Sequence, residues 1–303
     1  MPTTLTQTHL LSLAELSAGE IHALFDLAHD LKGRTLSLAA GKTLGLVFTK
    51  PSTRTRVSFE VAMNQLGGHT VFLAADATQL SRGEPMRDTA RVLGRYVDAI
   101  AMRTHHHADV EILAAESGVP VANALTDLYH PTQVLADLLT VRDARGSLEN
   151  LTVAWVGDGN NMCHTWILAQ AILGFTLKVA APPAFRPKAT VLCHPLVEAH
   201  PPLLLTDVDD AVAGADVVTT DTWVSMGDED DGEWRREVFA PYQVNEALMA
   251  TAARDALFLH CLPAHAGEEV TEEVLYGPRS VVWDEAENRL HVQKAWLAAV
   301  LTA

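Results

Sequence analysis

The 303-residue chain is short of cysteine. It holds three, Cys163, Cys193 and Cys261, and an odd number at irregular spacing argues against a disulfide framework. It is short of positive charge: 22 lysines and arginines face 38 aspartates and glutamates, a formal net charge of -16. That balance argues against nucleic-acid and anionic-lipid binding, both of which need a positive surface. No apolar run reaches membrane-spanning length, and no basic, apolar leader follows Met1-Pro2-Thr3-Thr4, so no membrane association and a cytoplasmic location are expected. There is no repeat of solenoid period and no low-complexity tract.

What is present is an ordinary globular composition, 48% hydrophobic and 20% charged. Domains run to roughly 100–200 residues, so this length predicts two. Short apolar runs predict strands over Thr43–Phe48, Thr70–Ala74, Ala99–Arg103, Val119–Ala122, Val153–Val156, Leu177–Ala180, Val217–Thr220 and Ala256–His260. Most are apolar throughout, as strands covered on both faces are. Between them, amphipathic segments predict helices over Ser17–Lys32, Thr53–Leu66, Met86–Tyr96, His107–Ser117, Thr132–Ala144, Cys163–Leu173 and Arg289–Leu301. The alternation predicts an α/β protein with two doubly wound domains, each on a central parallel sheet and linked by helices. The polar turn Arg145-Gly146-Ser147 marks the boundary between residues 1–145 and 146–288. The acidic segment Gly227–Glu237 reads as a mobile surface loop.

An acidic protein that binds an anion must gather its cations locally, which directs attention to clustered arginines. Phe48-Thr49-Lys50-Pro51-Ser52-Thr53-Arg54-Thr55-Arg56 leaves a strand and enters a helix, with Ser52 placed as N-cap. A helix N-terminus offers free N–H groups and a positive dipole end, and the hydroxyls of Ser52, Thr53 and Thr55 with the fork of Arg54 add donors for a phosphate. The alternative is a capped helix with exposed arginines, which the dipole disfavours without an anion nearby. Arg103 ends a strand, where ligands gather in open α/β sheets. His105-His106-His107 reads as a solvated run in preference to a metal site, since adjacent positions share an ion poorly and no matching carboxylate or cysteine spacing appears. His130 precedes a predicted helix, as a carbonyl donor or as a capping or packing residue.

Gly157-Asp158-Gly159-Asn160-Asn161 follows a strand but lacks the third glycine of a dinucleotide turn, Met162 standing in its place. Asp221–Gly227 follows another apolar strand, as a binding loop or a polar turn. Cys261 follows His260 at a third strand end, as a reactive thiol or a small buried apolar residue. His260, Cys261 and His265 lack a fourth ligand at conventional spacing, so no metal is expected.

As an ordered set, Ser52–Arg56, His130-Pro131-Thr132-Gln133, Asp221–Gly227 and His260–Pro263 resemble the aspartate/ornithine carbamoyltransferases along nearly the whole chain. Ser225-Met226-Gly227 and Cys261 beside Leu262-Pro263 resemble the ornithine branch. The resemblance implies transfer of a carbamoyl group from carbamoyl phosphate to the δ-amine of L-ornithine, giving citrulline and phosphate, with no cofactor, in a setting of arginine biosynthesis. It implies that Ser52, Thr53, Arg54 and Thr55 hold the phosphate and that Arg103 bridges phosphate and carbonyl oxygens. His130 would polarise the carbonyl, Gln133 would take the carbamoyl amide, and Leu262, Cys261 and Arg289 would join the same ligand. Arg289 is expected at the start of a final helix, about 289–303, packed back on the first domain. Asn161, Asp221, Ser225 and Met226 would hold ornithine, with Asp221 and Cys261 orienting its amine.

The family also implies a cis Leu262-Pro263 bond, domain closure around a ternary complex, and a homotrimer or multiple of trimers. Ala266 and the acidic loop Asp228–Asp231 are local departures. Rival readings are the same transfer to putrescine or an acylated ornithine, an NAD-dependent dehydrogenase, and a non-catalytic binding protein on this scaffold.

Overall fold

A computed structural model describes residues 5–74, 78–225 and 229–302. The chain divides into two compact units, residues 1–136 with 287–303, and residues 137–286.

The first unit is built on a four-stranded parallel sheet of order β2-β1-β3-β4. Its strands are β1 (Thr43–Phe48), β2 (His69–Ala74), β3 (Ala99–Arg103) and β4 (Val121–Leu125). The second holds a five-stranded parallel sheet of order β7-β6-β5-β8-β9. These are β5 (Thr152–Val156), β6 (Thr176–Ala180), β7 (Leu203–Leu205), β8 (Val217–Thr220) and β9 (Leu257–His260). The internal strands β3 and β8 are buried at every position, which is why they begin as apolar runs, Ala99–Met102 and Val217-Val218, with Arg103 and Thr219-Thr220 at their ends.

Several expected boundaries move. The strand expected over Val119–Ala122 runs Val121–Leu125, and the helix expected over Met86–Tyr96 stops at Leu93, where Gly94 takes over as C-cap. The 3-residue β7 is an edge strand after two prolines, too short and too exposed for periodicity to reveal. Gly227–Glu237 is not simply a loop: Glu229–Asp231 forms a 3₁₀ turn and Gly232–Phe239 an α-helix. Asp230, Asp231, Glu233 and Glu237 face solvent while Arg235 and Phe239 are buried, an apolar contribution too thin to register by composition. Met226, Gly227 and Asp228 lie outside the described residues.

The last helix corrects the expectation most. It runs Val282–Leu301, so Arg289 sits within it and not at its start. Its first turn carries Asp284 and Glu285, acids that suit a positive helix end and conceal the apolar stripe from a sequence reading. Farther along, Lys294 is fully buried and its Nζ donates to the carbonyls of Leu31 and Arg34 and to Gln65 Oε1. The lysine thus ties this helix to the C-terminal end of the helix Ala18–Leu31, whose last carbonyls lack helical partners.

Candidate functional site

Strand register decides which side chains meet. Phe48 on β1 lies opposite Arg103 on β3, so the turn after β1 and the end of β3 open at the same sheet edge. Ser52 caps the helix Thr53–Gln65: its Oγ accepts from Thr55 N at 3.3 Å and donates to Thr55 Oγ1 at 3.0 Å. Arg289 Nη2 donates to the same Thr55 Oγ1 at 2.6 Å, and both residues are buried. Thr53 and Arg54 are exposed on that first turn, which carries no acidic residue. Arg56 turns aside, pairing with Glu60 at 2.9 Å and covering the Phe72 ring at 3.8 Å.

Arg103, His130, Gln133 and Arg289 are all buried. Burial pushes the His130 imidazole well below its ordinary value, and the charges of Arg289 and Arg103 push it the same way. It is therefore neutral at neutral pH, carrying one N–H and one bare nitrogen. A helix N-terminus, two buried guanidiniums and a neutral imidazole form an electropositive site suited to an anion bearing a carbonyl.

In the second unit, Val156 lies opposite Thr220 and Thr220 opposite His260. The residues just past β8 and β9 are therefore neighbours. Cys261 Sγ donates to Asp221 Oδ1 at 3.2 Å, which also accepts from Thr222 N at 2.8 Å. Asp221 Oδ2 accepts from Asn160 Nδ2 at 2.8 Å. Burial raises the Cys261 thiol well above its ordinary value, and the Asp221 carboxylate adds to the effect. The group is a protonated donor at neutral pH, not a thiolate nucleophile. Leu262-Pro263 is cis, and Leu262 has φ 57°. Ser225 is half-buried, and Met226 lies outside the described residues.

Asn161 opens the helix Asn161–Leu173, and its neighbour Asn160, not singled out from sequence, is the N-cap and bonds Asp221. Capping preference was the available signal. Sequence reading also missed Arg235, which joins Asp158 to the Trp223 carbonyl, and the buried Glu269 and Glu285 around His260. Gly159 has a packing role: a Cβ there would lie 2.3 Å from Pro187 N.

Two groups bring metal-ligating atoms within 4.8 Å among the described residues, Asp221–His260–Cys261 and His265–Glu268–Glu269. In the first, His260 has both ring nitrogens engaged, Nδ1 by Leu262 N and Nε2 by Glu269. His105 and His106 are exposed, while His107 Nδ1 sits 2.9 Å from Thr126 Oγ1. No helix among the described residues is long and apolar enough to cross a membrane.

Residues 8–143 match the carbamoyl-P binding domain of aspartate/ornithine carbamoyltransferase, and residues 149–300 match the Asp/Orn binding domain. An ornithine carbamoyltransferase of Methylococcus capsulatus is 55% identical over 299 residues, covering 97% of this chain and 99% of that one. One from Halorhodospira halophila is 52% identical over 294 residues, 95% of this chain and 97% of the other. The ornithine carbamoyltransferase structure from Pyrococcus furiosus superimposes with a TM-score of 0.93 at 48% identity, covering 98% of each chain. These likenesses span both units, and with them the frame of a carbamoyl-group transferase. The chain belongs to the aspartate/ornithine carbamoyltransferase family.

Proposed function

We propose that this chain transfers the carbamoyl group of carbamoyl phosphate to the δ-amine of L-ornithine, giving L-citrulline and phosphate. The observation that carries the reading is identity of about half, over nearly the full chain, to relatives named ornithine carbamoyltransferase.

The site chemistry supports it. Ser52, Thr53, Arg54 and Thr55 hold the phosphate, with Arg289 fixing the Thr55 hydroxyl. Arg103 spans phosphate and carbonyl oxygens, His130 donates to the carbonyl oxygen, and Gln133 and the Leu262 carbonyl take the carbamoyl amide. Asn161, Ser225 and Met226 hold the amino-acid end of ornithine. Asp221 and Cys261 orient the amine, Cys261 as donor and not as covalent nucleophile.

The neutral amine attacks the carbamoyl carbon. A C–N bond forms, negative charge passes to the carbonyl oxygen, the carbon–oxygen bond to phosphate breaks as that charge returns, and the proton shed by the attacking nitrogen leaves on the phosphate. Thr55, Arg103 and His130 form the oxyanion hole, where one donor is worth about 3–4 kcal/mol. The reaction demands the amine within about 3–3.5 Å of the carbon, aligned and dry. Its substrate must first lose a proton, with an ordinary value of about 10.4 for such an amine, so the rate rises into alkaline pH.

A homotrimer fits an otherwise unexplained face. Val57 and Val61, one helical turn apart, and Val71 on the edge strand β2 are 49%, 37% and 45% exposed in the first unit. The function is tested by offering ornithine, putrescine, acetylornithine and aspartate separately with carbamoyl phosphate. Turnover confined to ornithine is expected; turnover with another amine alone would overturn the ornithine assignment.

A further inference from the structure

His260 directly precedes Cys261 and Leu262, and its ring is held from both sides. Leu262 N donates to His260 Nδ1 at 2.9 Å, so Nδ1 must present a lone pair. A neutral imidazole then carries its proton on Nε2, which faces Glu269 Oε1 at 3.2 Å. The same Oε1 accepts from His265 N at 2.6 Å, which fixes the carboxylate at the turn His265–Val270. His260 N, in turn, donates to Glu285 Oε2 at 2.9 Å.

Glu269 has no exposed surface, and among the described residues its carboxylate meets only histidine side chains, no lysine or arginine. A buried carboxylate without a cation costs stability, and an apolar residue of similar volume is the more stable choice in general. Fold stability alone therefore does not account for it. Its geometric effect is specific: with an acceptor at Oε1, only the Nε2–H tautomer and the observed ring orientation are satisfied. That tautomer in turn gives Leu262 N its acceptor, at the residue whose backbone is held at φ 57°.

We propose that Glu269 is a positioning residue for carbamoyl transfer, acting through His260 to fix the backbone that presents Cys261 and Leu262. This rests on the role proposed above for those two residues. Glu269 does not touch substrate.

The test uses the full chain with Glu269→Met, which keeps volume and removes the acceptor, and Glu269→Gln, which keeps an oxygen acceptor and removes the charge. Glu269→Met is expected to lower kcat per folded molecule about a hundredfold, the scale of a 1 Å misplacement, with KM for ornithine within about threefold. Glu269→Gln is expected to recover kcat to within about fivefold. A purely structural role would lower the folded fraction and leave kcat per folded molecule intact.

Imidazole nitrogen shifts, with His260 identified by its loss in His260→Asn, are expected to show one Nε2–H tautomer in the unaltered protein and a mixture in Glu269→Met. This readout needs no turnover, so it stands apart from failure of the ornithine reading. Should Glu269→Met not fold, Glu269→Asp, which withdraws the oxygen, takes its place with the same two results read. Folded Glu269→Met with full kcat, a single tautomer without the acceptor, or Glu269→Gln as impaired as Glu269→Met would each overturn the proposal.

Discussion

The Cys261 thiol donates to Asp221 Oδ1 across 3.2 Å, because β8 and β9 run parallel with Thr220 opposite His260. The pair is set by register, and the thiol keeps its proton because burial and the carboxylate both oppose the thiolate. Cys261→Ala is expected to lower kcat with ornithine by about 10- to 100-fold, the loss of one charge-assisted hydrogen bond. Phosphate affinity should change little. Unaltered ornithine kinetics in Cys261→Ala, or rapid alkylation of Cys261 at pH 7, would contradict the donor role.

His130 gives a pH signature in stability. Its folded value lies well below 6.5, while in the unfolded chain it titrates normally. Below about pH 6.5 the unfolded chain therefore binds a proton that the folded chain refuses, and stability falls as pH falls. The slope is about 1.4 kcal/mol per pH unit once the unfolded residue is protonated. Urea unfolding at pH 7.5 and 5.5 should show a smaller loss in His130→Asn than in the unaltered chain. His9, His107 and His291 are also lowered by burial, but they contribute to both proteins and cancel in the difference.

Arg54 and Thr55 share one helical turn but differ in burial, so they separate binding from folding. Arg54 is exposed on a turn without acids. Arg54→Ala is expected to raise KM for carbamoyl phosphate by roughly 10- to 100-fold, the worth of a hydrogen bond to a charged group. The unfolding midpoint should hold steady. Initial rates with each substrate varied in turn check this, and equal effects on both substrates would count against the phosphate assignment.

Lys294 is a test of fold alone. Its fully buried ammonium serves the carbonyls of Leu31 and Arg34 and the Gln65 amide oxygen. Lys294→Met keeps most of the volume and strands these acceptors, at a cost of about 2–4 kcal/mol. Denaturant unfolding measures it, and a change below about 0.5 kcal/mol would show the acceptors find other partners.

How much of this was legible in sequence follows from what each residue depends on. Strands such as β3 and β8 declare themselves because every position is buried and their leading residues, Ala99–Met102 and Val217-Val218, are apolar. The turn at Ser52 declares itself because capping is local chemistry. The tie of Asn160 to Asp221 was not legible because it joins residues 61 apart in sequence. Glu269 and Glu285 are acids in acidic stretches and look like surface until the fold buries them. The start of the final helix was hidden for the same reason, its first turn being acidic for dipole reasons and not for exposure alone.

The most direct test joins ¹³C-carbamoyl phosphate to L-ornithine labelled with ¹⁵N at the δ-nitrogen and reads the product by NMR. A one-bond ¹³C–¹⁵N coupling in citrulline, with phosphate released in equal amount, is the expected result. A product carbamoylated at the α-nitrogen, or phosphate released without a new C–N bond, would contradict the account.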